Sequence, residues 1–172
     1  MAICLLIACN QTKNQESSQK PRLGTAATTK IGKCLTSQSL NQILTDKMAE
    51  EYLSKPISEI KKEEVSVITG YNSLTFRVES DQKEEHTPTL ALAYVKITSL
   101  DEFKKFYNVK NTTQFEEVKN IGQYALWNKQ ESVLMVFVEE IQFGVTFKKT
   151  LNNTNNKVVA TKIAEEIIDK YQ

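Results

Sequence analysis

A chain of 172 residues with 22 Lys+Arg against 21 Asp+Glu carries a formal net charge of +1, too even a balance for a nucleic-acid binder, which gathers basic charge on one face or tail. At 40% hydrophobic and 25% charged residues it has the composition of a folded domain rather than a disordered chain. Three cysteines cannot build a disulfide framework, and a single His leaves little for a zinc site or a His-based catalytic triad.

Met1 to Cys9 is an unbroken apolar stretch, and Asn10 to Lys20 contains no aliphatic or aromatic side chain apart from the aliphatic part of Lys. An apolar run ended by a small residue is the processing pattern of a secretory signal. Leu6-Ile7-Ala8-Cys9 resembles the bacterial lipobox. The resemblance implies that the Cys9 thiol is alkylated with diacylglycerol, that the chain is cut before it, and that the new amine is acylated. Residues 1–8 are then a partial signal peptide. No Lys or Arg precedes Cys9, and the apolar part from Ile3 to Ala8 is short of the usual core of about 7–15 residues. Met1 is therefore expected to lie inside a longer leader. The competing reading, a buried amino-terminal strand, would not normally lead into some twenty polar residues.

Residues 9–30 read as the lipidated Cys and a flexible tether. Gln, Asn, Thr, Ser and Lys dominate, and Pro21 and Gly24 punctuate a segment with no period of 2 or 3.6. As a random coil it reaches about 25 Å. Beyond residue 9 no 18-residue apolar run appears, so no transmembrane helix is expected.

Residues 31–172 read as a single globular domain. Thr36 is the expected N-cap of a first helix, with Leu35 and Leu40 as a hydrophobic staple. Leu40, Ile43, Leu44, Met48 and Tyr52 recur at helical spacing until Pro56 forbids continuation. From Glu64 the period changes to two. Val65 and Val67 form one strand, Thr69 to Ser73 a turn, and Leu74, Phe76 and Val78 a half-buried second strand. Residues 80–88 are an exposed charged loop. Leu90 to Ile97, apolar except at Lys96, predicts a central strand covered on both faces.

Ser99 with Glu102 three residues on matches the capping box of a short helix carrying Phe103, Phe106 and Tyr107 on one side. Strands follow at Phe115–Val118, Tyr124–Trp127, Val133–Val138 and Ile141–Phe147, with a turn at Ile121-Gly122. Asn152 to Asn156 is the loop leading into a last helix, on which Ala160, Ile163, Ala164, Ile167, Ile168 and Tyr171 share a face. The expected class is α+β: a mainly antiparallel sheet of about six to seven strands packed by an N-terminal, a middle and a C-terminal helix.

Cys34-Leu35-Thr36 at the helix start, Gly70-Tyr71, and Val118-Lys119-Asn120-Ile121-Gly122-Gln123-Tyr124-Ala125-Leu126-Trp127 resemble motifs of small bacterial lipoproteins of the PsbP-like α/β sandwich group. Most of residues 31–171 would be covered. The resemblance implies that fold and carries no catalytic residues. Many members pair the helix-start Cys with a second Cys beside that Tyr; Thr69-Gly70 stands there in this chain, so Cys34 has no evident partner.

Few side chains suggest chemistry. His86, among Glu84, Glu85 and Thr87, lies in a charged loop that reads as solvated surface. Cys34 as a nucleophile would need a base, and His86 is the sole imidazole. Glu139-Glu140 reads as a turn between strands rather than a working carboxylate pair, since neighbours in a strand point to opposite faces. Trp127, Tyr124 and Tyr71 could line a carbohydrate or peptide groove, or simply pack in the core or at an edge. No catalytic, cofactor or metal set is expected; lipidation of Cys9 is. The expected function is a non-catalytic, lipid-anchored binding module of the bacterial cell envelope, held in the bilayer by acylated Cys9. Its expected location is the outer membrane facing the periplasm, as a monomer serving a protein partner. The alternatives are an immunity protein that neutralises a periplasm-acting toxin and, further off, a hydrolase.

Overall fold

A computed structural model describes residues 39–67, 71–79, 87–97, 99–107, 113–138, 141–149 and 152–171. Helices α1 (Leu40–Ile43) and α2 (Asp46–Leu53) lead through a 3-10 turn (Ile57–Glu59) into strands β1 (Ile60–Val67), β2 (Tyr71–Val78) and β3 (Thr89–Lys96). Helix α3 (Leu100–Phe106) follows, then β4 (Phe115–Glu117), β5 (Tyr124–Asn128), β6 (Val133–Val138), β7 (Ile141–Lys148) and the long helix α4 (Asn153–Tyr171). The class is α+β, as the periodicity predicts.

All seven strands lie in one antiparallel sheet of order β1-β2-β3-β7-β6-β5-β4. The chain leaves β3, passes through α3 to the far edge, and meanders back from β4 to β7. The two meanders then join at β3 and β7, from Thr89↔Lys148 to Lys96↔Ile141. β7 is the last strand to be made and becomes a central one.

The expected first helix is two. Leu44 is extended at φ −103°, ψ 97°, and the helix restarts behind Thr45, whose side chain accepts a hydrogen bond from Met48 N at 3.3 Å. Thr45-Asp46 offers the backbone a better N-cap than an unbroken turn would. Leu40, Ile43 and Leu44 are buried, while Met48 and Tyr52 pack half-buried against the same core and Ala49 and Leu53 take the buried positions of the second helix, so the apolar spacing marks the inward side without requiring one continuous helix. The chain stops being helical at Leu53, with Ser54 left-handed at φ 57°, and Pro56 opens the 3-10 turn instead. Thr36 and Leu35 lie outside the described residues.

Strand β1 begins at Ile60, not near Glu64, because an edge strand keeps its Lys and Glu in water and shows little alternation. Tyr71 to Ser73 continue β2 rather than form a turn, pairing with Val67 to Val65. The asparagine run is helical from Asn153 on. Asn152 is its cap, its side-chain oxygen accepting from Thr154 N at 3.0 Å and Asn155 N at 3.3 Å. The turn at Gly122 is required sterically: φ is +57°, and a Cβ would stand 2.7 Å from Val136 Cγ1 and 2.8 Å from Phe137 O.

Period-two alternation divides the buried side chains between two layers. On one face α1, α2 and α4 cover Leu74, Phe76, Leu90, Leu92, Trp127 and Phe143, among others. Tyr52 on α2 donates to Glu166 Oε1 on α4 at 2.8 Å, and Lys157 on α4 meets Glu116 on β4 at 2.5 Å. On the other face a smaller cluster gathers Phe103, Phe115, Leu126, Met135 and Phe137 under α3. No described helix is long and apolar enough to cross a membrane.

Candidate functional site

Seven residues of α3 cannot cover a seven-stranded face. Ser99 Oγ starts the helix by accepting from Glu102 N at 3.1 Å, and Phe103 anchors it 5.7 Å, ring to ring, from Phe137. Tyr107, just past its end, stacks 4.9 Å from Phe103 and 5.9 Å from Phe115. Among the described residues no helix covers the outward residues of β3 and β7 beyond Tyr107. β3 is therefore central but covered on both faces only in part: Leu90 and Leu92 are buried, while Ala91, Ala93 and Val95 are half-buried. That corrects the expectation of a strand enclosed on both sides. An apolar run reports that neither face is solvated by polar side chains, not that another layer sits on each.

The cross-strand pair Ala93↔Gly144, flanked by Met135 opposite Gly144 on β6, makes a low floor. Around it a concavity of about 270 Å³ opens, with Tyr71, Tyr107, Gln142 and Glu131 among its lining residues. Gln142 is only 8% exposed. Its Nε2 donates to the Tyr107 hydroxyl, and its Oε1 has no hydrogen-bond partner among the described residues. Buried polar atoms are almost always paired, so this oxygen is an exception that calls for a cause. Burial raises the Tyr107 phenol above its ordinary value, with the Gln142 hydrogen bond opposing the shift. Asn128, also on the wall, turns its Oδ1 to Gln130 N and Glu131 N at 3.0 and 3.2 Å, fixing the β5–β6 turn that presents Glu131.

The sequence-derived candidates separate. Trp127 is buried at 1% exposure on the helix-covered face, a packing residue and not a groove wall. Tyr124 lies on the second face under α3, where Lys104 Nζ sits 4.7 Å from its ring centroid and its hydroxyl donates to Glu117 Oε2 at 3.3 Å. Loss of water around it, then the Glu117 charge and hydrogen bond, raise its phenol. Tyr71 reaches the concavity, 42% exposed. Cys9, Cys34, His86 and Glu139-Glu140 lie outside the described residues. Gln142, Gly144 and Tyr107 escaped the sequence reading as site residues. Their signal was present in β7, where Gln142, Gly144 and Thr146 alternate with Ile141, Phe143 and Val145.

The walls offer hydrogen bonds and contact area. No Lys, Arg or His stands among the described lining residues, and Glu131 is their one carboxylate. No group of three His, Cys, Asp or Glu among the described residues could hold a metal ion. Comparison of the chain with protein-family models, curated proteins and solved structures finds no match.

Proposed function

We propose that this chain is a non-catalytic binding module of the bacterial cell envelope, anchored in the bilayer through acylated Cys9 and serving an envelope partner with the open part of its second sheet face. One observation carries the binding role: on the sheet face that the described helices leave partly open, a concavity of about 270 Å³ is lined by half-buried Ala93 and Gly144 and by the exposed ring of Tyr71. An aliphatic floor beside an exposed aromatic ring offers a partner contact area.

Support for the anchor is Leu6-Ile7-Ala8-Cys9 followed by the polar tether. The non-catalytic part of the reading rests on the sequence, which offers one His and no motif that sets a nucleophile beside its base. Membership of the PsbP-like lipoprotein group belongs to the same proposal and rests on the sequence motifs alone.

The anchor is tested by Cys9→Ala in the cellular precursor. The native chain is expected in the membrane fraction with the added mass of a diacylglycerol. The substituted chain is expected in soluble or uncleaved form. Unchanged detergent partitioning and mass would overturn the lipid anchor.

A further inference from the structure

We infer that β1 pairs edge to edge with β1 of a second copy of this chain, antiparallel and across a two-fold axis at Glu63, joining two seven-stranded sheets into one. The inference stands on the free edge of the sheet and is independent of the face proposed above.

The two ends of the sheet are unlike. β4, at one end, has three residues, whereas β1, at the other, has eight. All of β1 pairs with β2 in one unbroken register, from Ile60↔Val78 to Val67↔Tyr71. It holds no Pro and no bulge, two of the devices that keep a long edge from pairing with another chain. Glu59 O accepts from Glu79 N at 2.8 Å, so the odd-numbered residues of β1 bond to β2. Lys62, Glu64 and Ser66 therefore turn their N–H and C=O away from the sheet. Ile60 does so with its C=O, its N–H being spent on Ile57 O. No described strand meets this row.

Charged side chains usually guard an edge. Here their order, Lys61-Lys62-Glu63-Glu64, makes the guard self-complementary. Basic first and acidic second, it opposes unlike charges when a copy runs antiparallel and like charges when a copy runs parallel. Hydrogen-bonded and open pairs alternate along an antiparallel ladder, so a two-fold axis must set one residue opposite its own copy. With Glu63 there, Ile60 to Ser66 pair along their length, and Lys62 of each chain faces Glu64 of the other. Lys62 at the axis would set ammonium on ammonium over a shorter overlap, and Glu64 at the axis would leave Lys62 facing Ser66. One like pair remains, Glu63 on Glu63, and each of these carboxylates has its own Lys61 Nζ at 3.0 Å. Lys62 already reaches Asp46 Oδ1 at 2.9 Å, whereas Glu64 is exposed and makes no ion pair with a described residue. Val65, 49% exposed, comes to lie opposite the aliphatic stem of the copy's Lys61.

One strand pair buries less than the roughly 1,200 Å² of a stable complex, so the dimer is expected to be weak and to depend on concentration. The test is sedimentation equilibrium of the full chain up to about 1 mM, with amide hydrogen exchange at both ends of the range. A reversible dimer is expected. Exchange at Lys62, Glu64 and Ser66 slows as the chain is concentrated, whereas Lys61 and Glu63, bonded to β2, are slow throughout. Glu64→Lys and Lys62→Glu are each expected to weaken self-association by about tenfold. Mixed together, the two variants are expected to pair as tightly as the parent does, because both facing pairs are then unlike. A fold damaged by either substitution gives no such rescue. A chain that stays monomeric throughout overturns the inference, as does a dimer that leaves exchange at Lys62, Glu64 and Ser66 unchanged. A mixture no tighter than the separate variants overturns it as well.

Discussion

On β2, Leu74 and Phe76 are fully buried beneath the helices, while Ser73 and Thr75 on the opposite face keep intermediate exposure. The same contrast runs across the sheet: Leu90 and Leu92 against Ala91 and Ala93 on β3, Phe143 and Val145 against Gly144 and Thr146 on β7. The helix-covered face uses large aliphatic and aromatic side chains that fill space between layers. The other face uses large side chains where α3 reaches and mostly small or polar ones beyond it, with Tyr71 and Val65 as exposed exceptions. Stability and recognition are thus drawn from opposite sides of the same strands. Gln142, buried beside Tyr107 with its Oε1 unpaired among the described residues, marks where one regime gives way to the other.

Adjacent residues on one strand give the largest expected contrast. Leu74→Ala removes a fully buried side chain and is expected to cost about 2–5 kcal/mol. Ser73→Ala, its neighbour on the open face, is expected to change stability by less than about 0.5 kcal/mol. Equal effects in urea denaturation would show that both faces are packed, and would break the comparison.

A second, somewhat smaller loss is expected at the turn before β5. Gly122→Ala places a Cβ against Val136 and the Phe137 carbonyl at positive φ, and is expected to cost about 2–3 kcal/mol. A thermal melt indistinguishable from that of the parent chain would mean that the turn yields, and that β6 is not held as rigidly as the close contacts imply.

The smallest effect is at alkaline pH. Burial, then the hydrogen bond to Glu166 and its charge, raise the Tyr52 phenol above its ordinary value; burial also raises Tyr107 on the other face. Above a pH of about 10 the unfolded chain gives up these protons while the folded chain still holds them. The folded state then binds more protons, so stability is full below about pH 10 and declines as the pH rises towards the folded-state values. Tyr52→Phe and Tyr107→Phe are each expected to flatten that decline. A decline unaltered by either substitution would assign it to other groups.

The elements of this fold were legible where one physical signal dominated. α3 was marked by Ser99 and Glu102, β6 by a continuous apolar run, β7 by strict alternation, and α4 by a sustained apolar stripe ending near Tyr171. Those signals are local, since each follows from the backbone's own periodicity and from which side chains avoid water. The break at Leu44 was less legible, because helical spacing and a good N-cap at Thr45 compete within a few residues and only packing on the sheet decides between them.

The candidate site was not legible as a site. The alternation in β7 says that Gln142 and Gly144 share a face with Thr146, but not what lies above them. That depends on the antiparallel closure of β7 on β3, which sets Gly144 beside Ala93, and on where α3 ends, which sets Tyr107 over Gln142. Both are contacts between residues far apart in the chain. Composition and periodicity therefore determined the α+β class and most of the strands, while the tertiary structure alone decided which face the described helices cover and which they leave half-buried. The physical reason is that a side chain's preference for water is its own property, whereas its access to water belongs to whatever the rest of the chain places over it.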